Sequence, residues 1–201
     1  MLRLTQEGRT RPRGGVAITV NGKGPGLLWR LANFRHWFRG WWKLQAAKLL
    51  NLSYIHGEVR LQLRRADGEV IDYGVVSHRV VTTAYVTALA TYQFDASGPV
   101  PTAYDHHDVG TGTTAEAAGD TALVTPYGGA RATGTPTNPG AGQYRTAGTI
   151  SFSGTFAITE HGVFSASSAG TLMDRSVFSA VNVASGDSLL ATYTLTYSAG
   201  G

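Results

Sequence analysis

The stretch Ile150-Ser151-Phe152-Ser153-Gly154-Thr155-Phe156-Ala157-Ile158-Thr159 decides the fold class. Ile150, Phe152, Phe156 and Ile158 fall on one parity, and Ser151, Ser153, Thr155 and Thr159 on the other. Side chains of an extended strand alternate between its two faces, so the pattern separates an apolar face from a polar one. The same period returns in Ala191-Thr192-Tyr193-Thr194-Leu195-Thr196-Tyr197. Alternation of this kind marks antiparallel strands with one buried face. Antiparallel strands are therefore expected to dominate after residue 140, with Ile150, Phe152, Phe156 and Ile158 buried together.

Working outward, Val59, Leu61 and Leu63 alternate with Arg60, Gln62 and Arg64, and Asp67-Gly68 leads into Val70, Ile71 and Tyr73. An Asp-Gly pair between alternating runs predicts a hairpin. Val80 and Val81 read as the start of another strand, and Thr83 to Phe94 as a short helix. Thr113-Thr114-Ala115-Glu116, ahead of Gly119, has capping-box spacing and predicts a single helical turn. From Leu27 to Leu50 the period is helical. Leu27, Leu31, Phe34, Phe38, Trp41, Trp42 and Leu49 share one stripe of the wheel, with Arg35, Arg39 and Lys43 off it. Gly40 weakens that helix by about 1 kcal/mol and predicts a kink or two shorter helices. Asn51 is the expected stop. Glu7 to Gly15 reads as an extended arm and Val16 to Val20 as a short strand, before the breaker run Asn21 to Gly26. The fold class is thus mainly β. A β-sandwich or jelly-roll-like domain over 57–201 follows a basic N-terminal arm and a Trp-rich helix over 1–56.

A chain of 201 residues suggests one domain. Cysteine is absent, which removes disulfides, thiolate catalysis and Cys-based zinc sites. There is no apolar run of membrane-spanning length, and the opening MLRLTQEGRTRPRGG lacks the apolar core of a signal peptide. Neither a membrane span nor an export signal is expected. Charge is divided unevenly. Residues 1–70 hold 13 Lys+Arg against 4 Asp+Glu, a net of +9, while 71–201 hold 4 against 9, a net of −5, together the +4 of the whole chain. All four tryptophans, Trp29, Trp37, Trp41 and Trp42, lie in the basic part.

Asp105-His106-His107-Asp108 offers metal-ligand types. Alternation on a strand would leave two ligands on each face, short of the four of a structural zinc site, so no metal is expected there. Gly110-Thr111-Gly112-Thr113-Thr114 lacks the Lys of a P-loop and the third Gly and long helix of a dinucleotide loop. It reads as a tight turn. Glu160, His161, Ser165 and Asp174 supply triad residue types without a Gly-x-Ser-x-Gly turn, so hydrolytic activity is not expected. Glu160 reads instead as a structural acid that accepts backbone hydrogen bonds or pairs with Arg175. No cofactor is expected.

The Trp/Arg helix carries the functional signal. Tryptophan and arginine are enriched at protein–protein hot spots, which favours a protein partner over a membrane or nucleic acid. The expected attachment residues are Arg9, Arg11, Arg13, Trp29, Arg35, Trp37, Arg39, Trp41 and Trp42. Trp29, Trp37 and Leu44 lie off the stripe, so two covering surfaces are expected. The sandwich supplies one, and a partner or a second copy the other, most simply in a trimer.

The C-terminal half resembles virion structural proteins of tailed bacteriophages. The resemblance is carried by YDHHDVGTGTTAEAAGDTALVTP and YRTAGTISFSGTFAITEHGVFSASSAGTLMDRSVFSAVNVASGDSLLATYTLTYSAGG, over about residues 75–201. More distantly it is similar to the first domain of tail-collar fibres, where a Glu-x-Gly-(Leu/Val)-Phe element precedes a "GTL" strand. Here that element is Glu160, Gly162, Val163 and Phe164. The sequence ends at Gly201 without a shaft or tip, a departure from the fibre pattern. The resemblance implies a virion location and a capsid decoration (cement) protein binding capsid subunits through its arm and helix. A compact tail, neck or baseplate component, or a receptor- or glycan-binding module, is the alternative.

Overall fold

The computed structural model describes residues 23–79, 81–94 and 103–199. Arg9, Arg11 and Arg13, the run Val16–Val20, and Val80 lie outside the described residues.

The described chain folds into two helices, α1 (Leu27–Leu49) and α2 (Thr83–Phe94), and nine strands. The strands are β1 (Tyr54–Arg64), β2 (Val70–Arg79), β3 (His106–Gly110), β4 (Ala132–Thr133), β5 (Thr135–Thr137), β6 (Gln143–Ser151), β7 (Phe156–Phe164), β8 (Leu172–Val183) and β9 (Ser188–Ser198). They form two antiparallel sheets, ordered β2-β1-β9-β6-β5 and β4-β3-β7-β8. The protein is therefore mainly β, with a sandwich-like arrangement, as the alternating pattern predicts.

The expected hairpin is β1–β2. Gly68 takes φ +91° in its turn, a conformation open to glycine, while Asp67 Oδ1 accepts the Glu69 N–H at 2.9 Å. β9 pairs with β1 from Tyr54↔Ser198 to Arg64↔Ser188. Alternate residues then point into one core. Val59, Leu61 and Leu63 of β1 and Leu189, Ala191, Tyr193 and Leu195 of β9 are buried together with Ile158 and Val163 of β7 and Phe178 and Val181 of β8. Ile150 and Ile158 are buried and belong to different sheets. Phe152 is buried in the connection, and Phe156 is half-buried with its ring centre 6.2 Å from that of Phe152. The predicted quartet meets, across the gap between the sheets.

Three local expectations are corrected. Residues 113–117 form no helical turn. There the Ala117 N–H is bound by the Asp120 carboxylate at 2.9 Å and Glu116 pairs with Arg79, so side chains hold the segment in an irregular path. Val81 belongs to no strand; it is buried just before Thr82, whose Oγ1 accepts the Tyr85 N–H at 3.2 Å and opens α2. The third correction concerns Gly40, which does not divide α1: one helix runs from Leu27 to Leu49. A methyl group at that position would overlap the His78 carbonyl, so glycine is required by close approach of the helix to β2. Asn51 does end the helix, at φ +54°. The Leu52 N–H reaches Ala47 O at 3.0 Å and the Asn51 N–H reaches Lys48 O at 3.2 Å, a Schellman ending.

Candidate functional site

β2 and β8 are edge strands of the two sheets. An open edge offers unpaired N–H and C=O groups and is normally protected. Helix α1 covers both edges, and it does so with polar contacts. Asn33 Nδ2 donates to Val76 O of β2 at 2.9 Å, and Asn33 Oδ1 accepts the Ser179 N–H of β8 at 2.9 Å. The Trp29 indole N–H donates to Ala180 O at 2.9 Å and Ser179 O at 3.2 Å, and its ring packs edge-on against Tyr73. Asn33, Gly40 and Leu44 are the buried residues of α1. Trp29 is thus an intramolecular anchor, in contrast to its expected role in attachment.

The predicted apolar stripe lies on the other side. Leu27, Leu31, Phe34 and Trp42 are 71%, 64%, 56% and 60% exposed. Phe34 and Phe38 stack at 5.4 Å, Phe38 meets Trp41 at 5.8 Å, and Trp41 stacks on Trp37 at 5.4 Å. Trp37 and Trp41 are half-buried, while Arg35, Arg39 and Trp42 are exposed. Arg30, Arg35, Arg39, Lys43 and Lys48 are the charged residues of α1, and no Asp or Glu occurs between Glu7 and Glu58. The outer face of α1 is therefore an aromatic ladder flanked only by cations.

Beneath the C-terminal half of α1 lies a cavity of about 470 Å³. Arg39, Lys43 and Leu44 line it from the helix, and His56, His78 and Arg79 from the hairpin. His56 and Glu58 sit two apart on β1 and so share a face, while Glu58 stands directly across from His78 in the β1–β2 register. Both histidines are buried, His78 with Trp37 edge-on against its ring at 5.4 Å, and Glu58 is half-buried. His56 Nε2 and His78 Nδ1 are 3.2 Å apart; each lies near Glu58 Oε1, at 3.6 Å and 3.2 Å respectively. The neighbouring imidazoles, His56 first and then His78, hold the Glu58 carboxyl far below its ordinary range. These three are the one group of metal-ligating side chains so arranged among the described residues. The signal in the sequence was His56-x-Glu58 on one arm of the hairpin with His78 on the other.

The residues singled out elsewhere take structural places. Asp105 Oδ1 lies 2.8 Å from His106 Nδ1. His107 points inward, its Nδ1 3.0 Å from His161 Nε2 and its Nε2 3.1 Å from Thr146 Oγ1. Asp108 meets Arg131 at 3.3 Å. Glu160 is fully buried and accepts three backbone N–H groups, from Gly112 and Val124 at 3.1 Å and Thr125 at 2.8 Å, and the Arg175 Nε at 2.7 Å. Both structural roles expected of Glu160 are met at once. The Gly110–Thr114 turn curls round this carboxylate: a methyl at Gly112 would meet Glu160 Oε1 at 2.5 Å. The triad residue types bond elsewhere. Ser165 Oγ accepts the Thr171 N–H at 2.8 Å, Asp174 binds Ser176 and Tyr193, and His161 binds His107. Comparison with models of protein families, with curated proteins and with solved structures gave no match to this chain.

Proposed function

We propose that this protein is a structural subunit of a tailed-phage particle that docks through α1 onto an acidic surface of capsid or tail proteins. A capsid decoration role is the leading form of the proposal, and a compact tail, neck or baseplate component is the other. The phage setting rests on the resemblance of residues 75–201 and the docking mode on the outer face of α1. The observation that carries the docking mode is a run of exposed aromatic and aliphatic side chains, flanked by five cations and no anion, on a helix already fixed to its own sandwich.

The helix of 23 residues is about 35 Å long, enough for a protein–protein interface. Burying each large apolar side chain on it contributes roughly 1.5–3 kcal/mol. The flanking cations select an acidic partner and hasten encounter. Symmetric pairing of two α1 faces would set cation against cation, which disfavours a second copy in that place. The expected trimer would need another contact, such as α1 of one copy against the acidic side of the next.

The test starts with mass spectrometry of purified particles for the presence of the chain. Co-sedimentation with particles lacking it then compares the wild type with a Phe38→Ser, Trp42→Ser variant. The variant is expected to fold normally and to bind at least about 100-fold more weakly. Undiminished binding would remove α1 as the docking face. Binding to anionic vesicles in place of particles would make it a membrane-surface helix.

A further inference from the structure

We propose that His56, Glu58 and His78 form a binding site for one divalent transition-metal ion, zinc foremost, with a fourth coordination position open to the cavity under α1. The ligand atoms are His56 Nε2, Glu58 Oε1 and His78 Nδ1.

The geometry is the first argument. The three atoms form a triangle with edges of 3.2, 3.2 and 3.6 Å. A tetrahedral ion with ligand bonds of about 2.0–2.1 Å holds its donors about 3.3–3.4 Å apart. The triangle therefore has the dimensions of one face of a zinc coordination sphere. Proton counting is the second argument. At each histidine nitrogen facing the centre there is at most one N–H, and the carboxylate brings none. Two protons at most can therefore lie along three edges, and directing both at Glu58 sets two N–H groups against each other with their nitrogens 3.2 Å apart. A cation at the centre uses all three lone pairs. Placement is the third. Both imidazoles are buried and line the cavity, which has room for water or a small anion as the fourth ligand. Three protein ligands with one open position is the pattern of accessible zinc centres, whereas structural sites are closed.

The test uses protein without a polyhistidine tag, stripped with chelator and dialysed. Titration with zinc chloride is expected to show one equivalent bound per chain. Cobalt(II) is expected to give the intense visible bands of a tetrahedral site, displaced by zinc. Glu58→Gln and His56→Gln each remove one ligand with little change of shape and are expected to weaken zinc binding at least about 100-fold, since even outer partners of a metal site contribute 10–100-fold. His106→Gln should bind as the wild type does. Thermal melts in chelator establish that each variant is folded. If a variant does not fold, the cobalt spectrum of the wild type decides the matter. Absence of saturable zinc uptake and of tetrahedral cobalt bands in the folded wild type would overturn the site, as would unchanged affinity in folded Glu58→Gln and His56→Gln proteins. A hydrogen-bonded cluster without metal would give those results.

Discussion

Glu160 shows what a fully buried carboxylate requires. Three backbone N–H donors and Arg175 surround it, and Arg175 in turn binds Asp120 at 3.0 Å. Removing one member of such a group leaves the other charge without compensation. Glu160→Ala is expected to lower stability by about 3–5 kcal/mol in urea unfolding, with a larger effect than Asp120→Ala, whose carboxylate is partly exposed. The buried histidines give a pH dependence. Burial, and then the neighbouring His106, pushes His107 down to about 4; burial, and then His107, pushes His161 well below its ordinary value. Both bind protons more readily in the unfolded chain, so their stabilisation is present above about pH 6.5 and is lost as pH falls toward 4. For His107 alone this is about 3 kcal/mol. Asp174 acts with the opposite sign. Burial, partly offset by hydrogen bonds from Ser176 and Tyr193, raises it to about 7. The folded state therefore takes up its proton first on acidification and gains stability between about pH 7 and 4. Urea midpoints measured from pH 7 to 5 are expected to fall for the wild type, and to fall more steeply for Asp174→Asn. A shallower slope in that variant would contradict the assignment.

At the scale of elements, α1 is held by hydrogen bonds to strand edges, and two substitutions probe this. Asn33→Leu deletes two hydrogen bonds and leaves the Val76 carbonyl and Ser179 amide without partners, an expected loss of about 2–4 kcal/mol in thermal unfolding. Gly40→Ala places a methyl on the His78 carbonyl, so α1 must lift from β2. Altered tryptophan fluorescence and a lower midpoint are expected, against the small gain of an unhindered Gly→Ala change in a helix. The same contacts explain how far the sequence could be read. Alternation in β6, β7 and β9 and the Asp67-Gly68 turn were legible, because period two assigns faces without tertiary information. The extent of α1 was legible too, but the face it buries was not. An apolar stripe ordinarily turns inward, whereas two open sheet edges call for donors and acceptors, and Trp29 and Asn33 supply them. The His56–Glu58–His78 cluster was hidden by register. Counting back from Arg64↔Val70 would set Glu58 opposite Val76. Shifts between Val59 and Arg60 and between Leu61 and Gln62 bring His78 there instead, and no alternation pattern announces such bulges.

At the scale of the molecule, the chain joins a basic, aromatic outer helix to a sandwich-like pair of sheets, one edge of each of which, β2 and β8, that helix covers. This coupling decides which experiment can isolate docking. Deleting residues 1–56 would remove more than the proposed docking face. It would take α1 from the edges of β2 and β8 and remove Tyr54, Ile55 and His56 from β1, which pair with Ser198, Tyr197 and Thr196 of β9. Lost particle binding by that truncation would mix the docking face with damage to the fold. A cut before Ser53 keeps β1 whole while it strips the edge cover. Two bare edges, with the Val76 carbonyl and the Ser179 amide unpaired, are templates for strand addition by another chain. The protein beginning at Ser53 is therefore expected to self-associate with rising concentration in sedimentation velocity runs. The same runs on full-length Phe38→Ser, Trp42→Ser protein, whose edges stay covered, should show no added association. If the truncated chain stays monomeric across the range, the edges are protected by their own strands, and α1 is not needed to cover them.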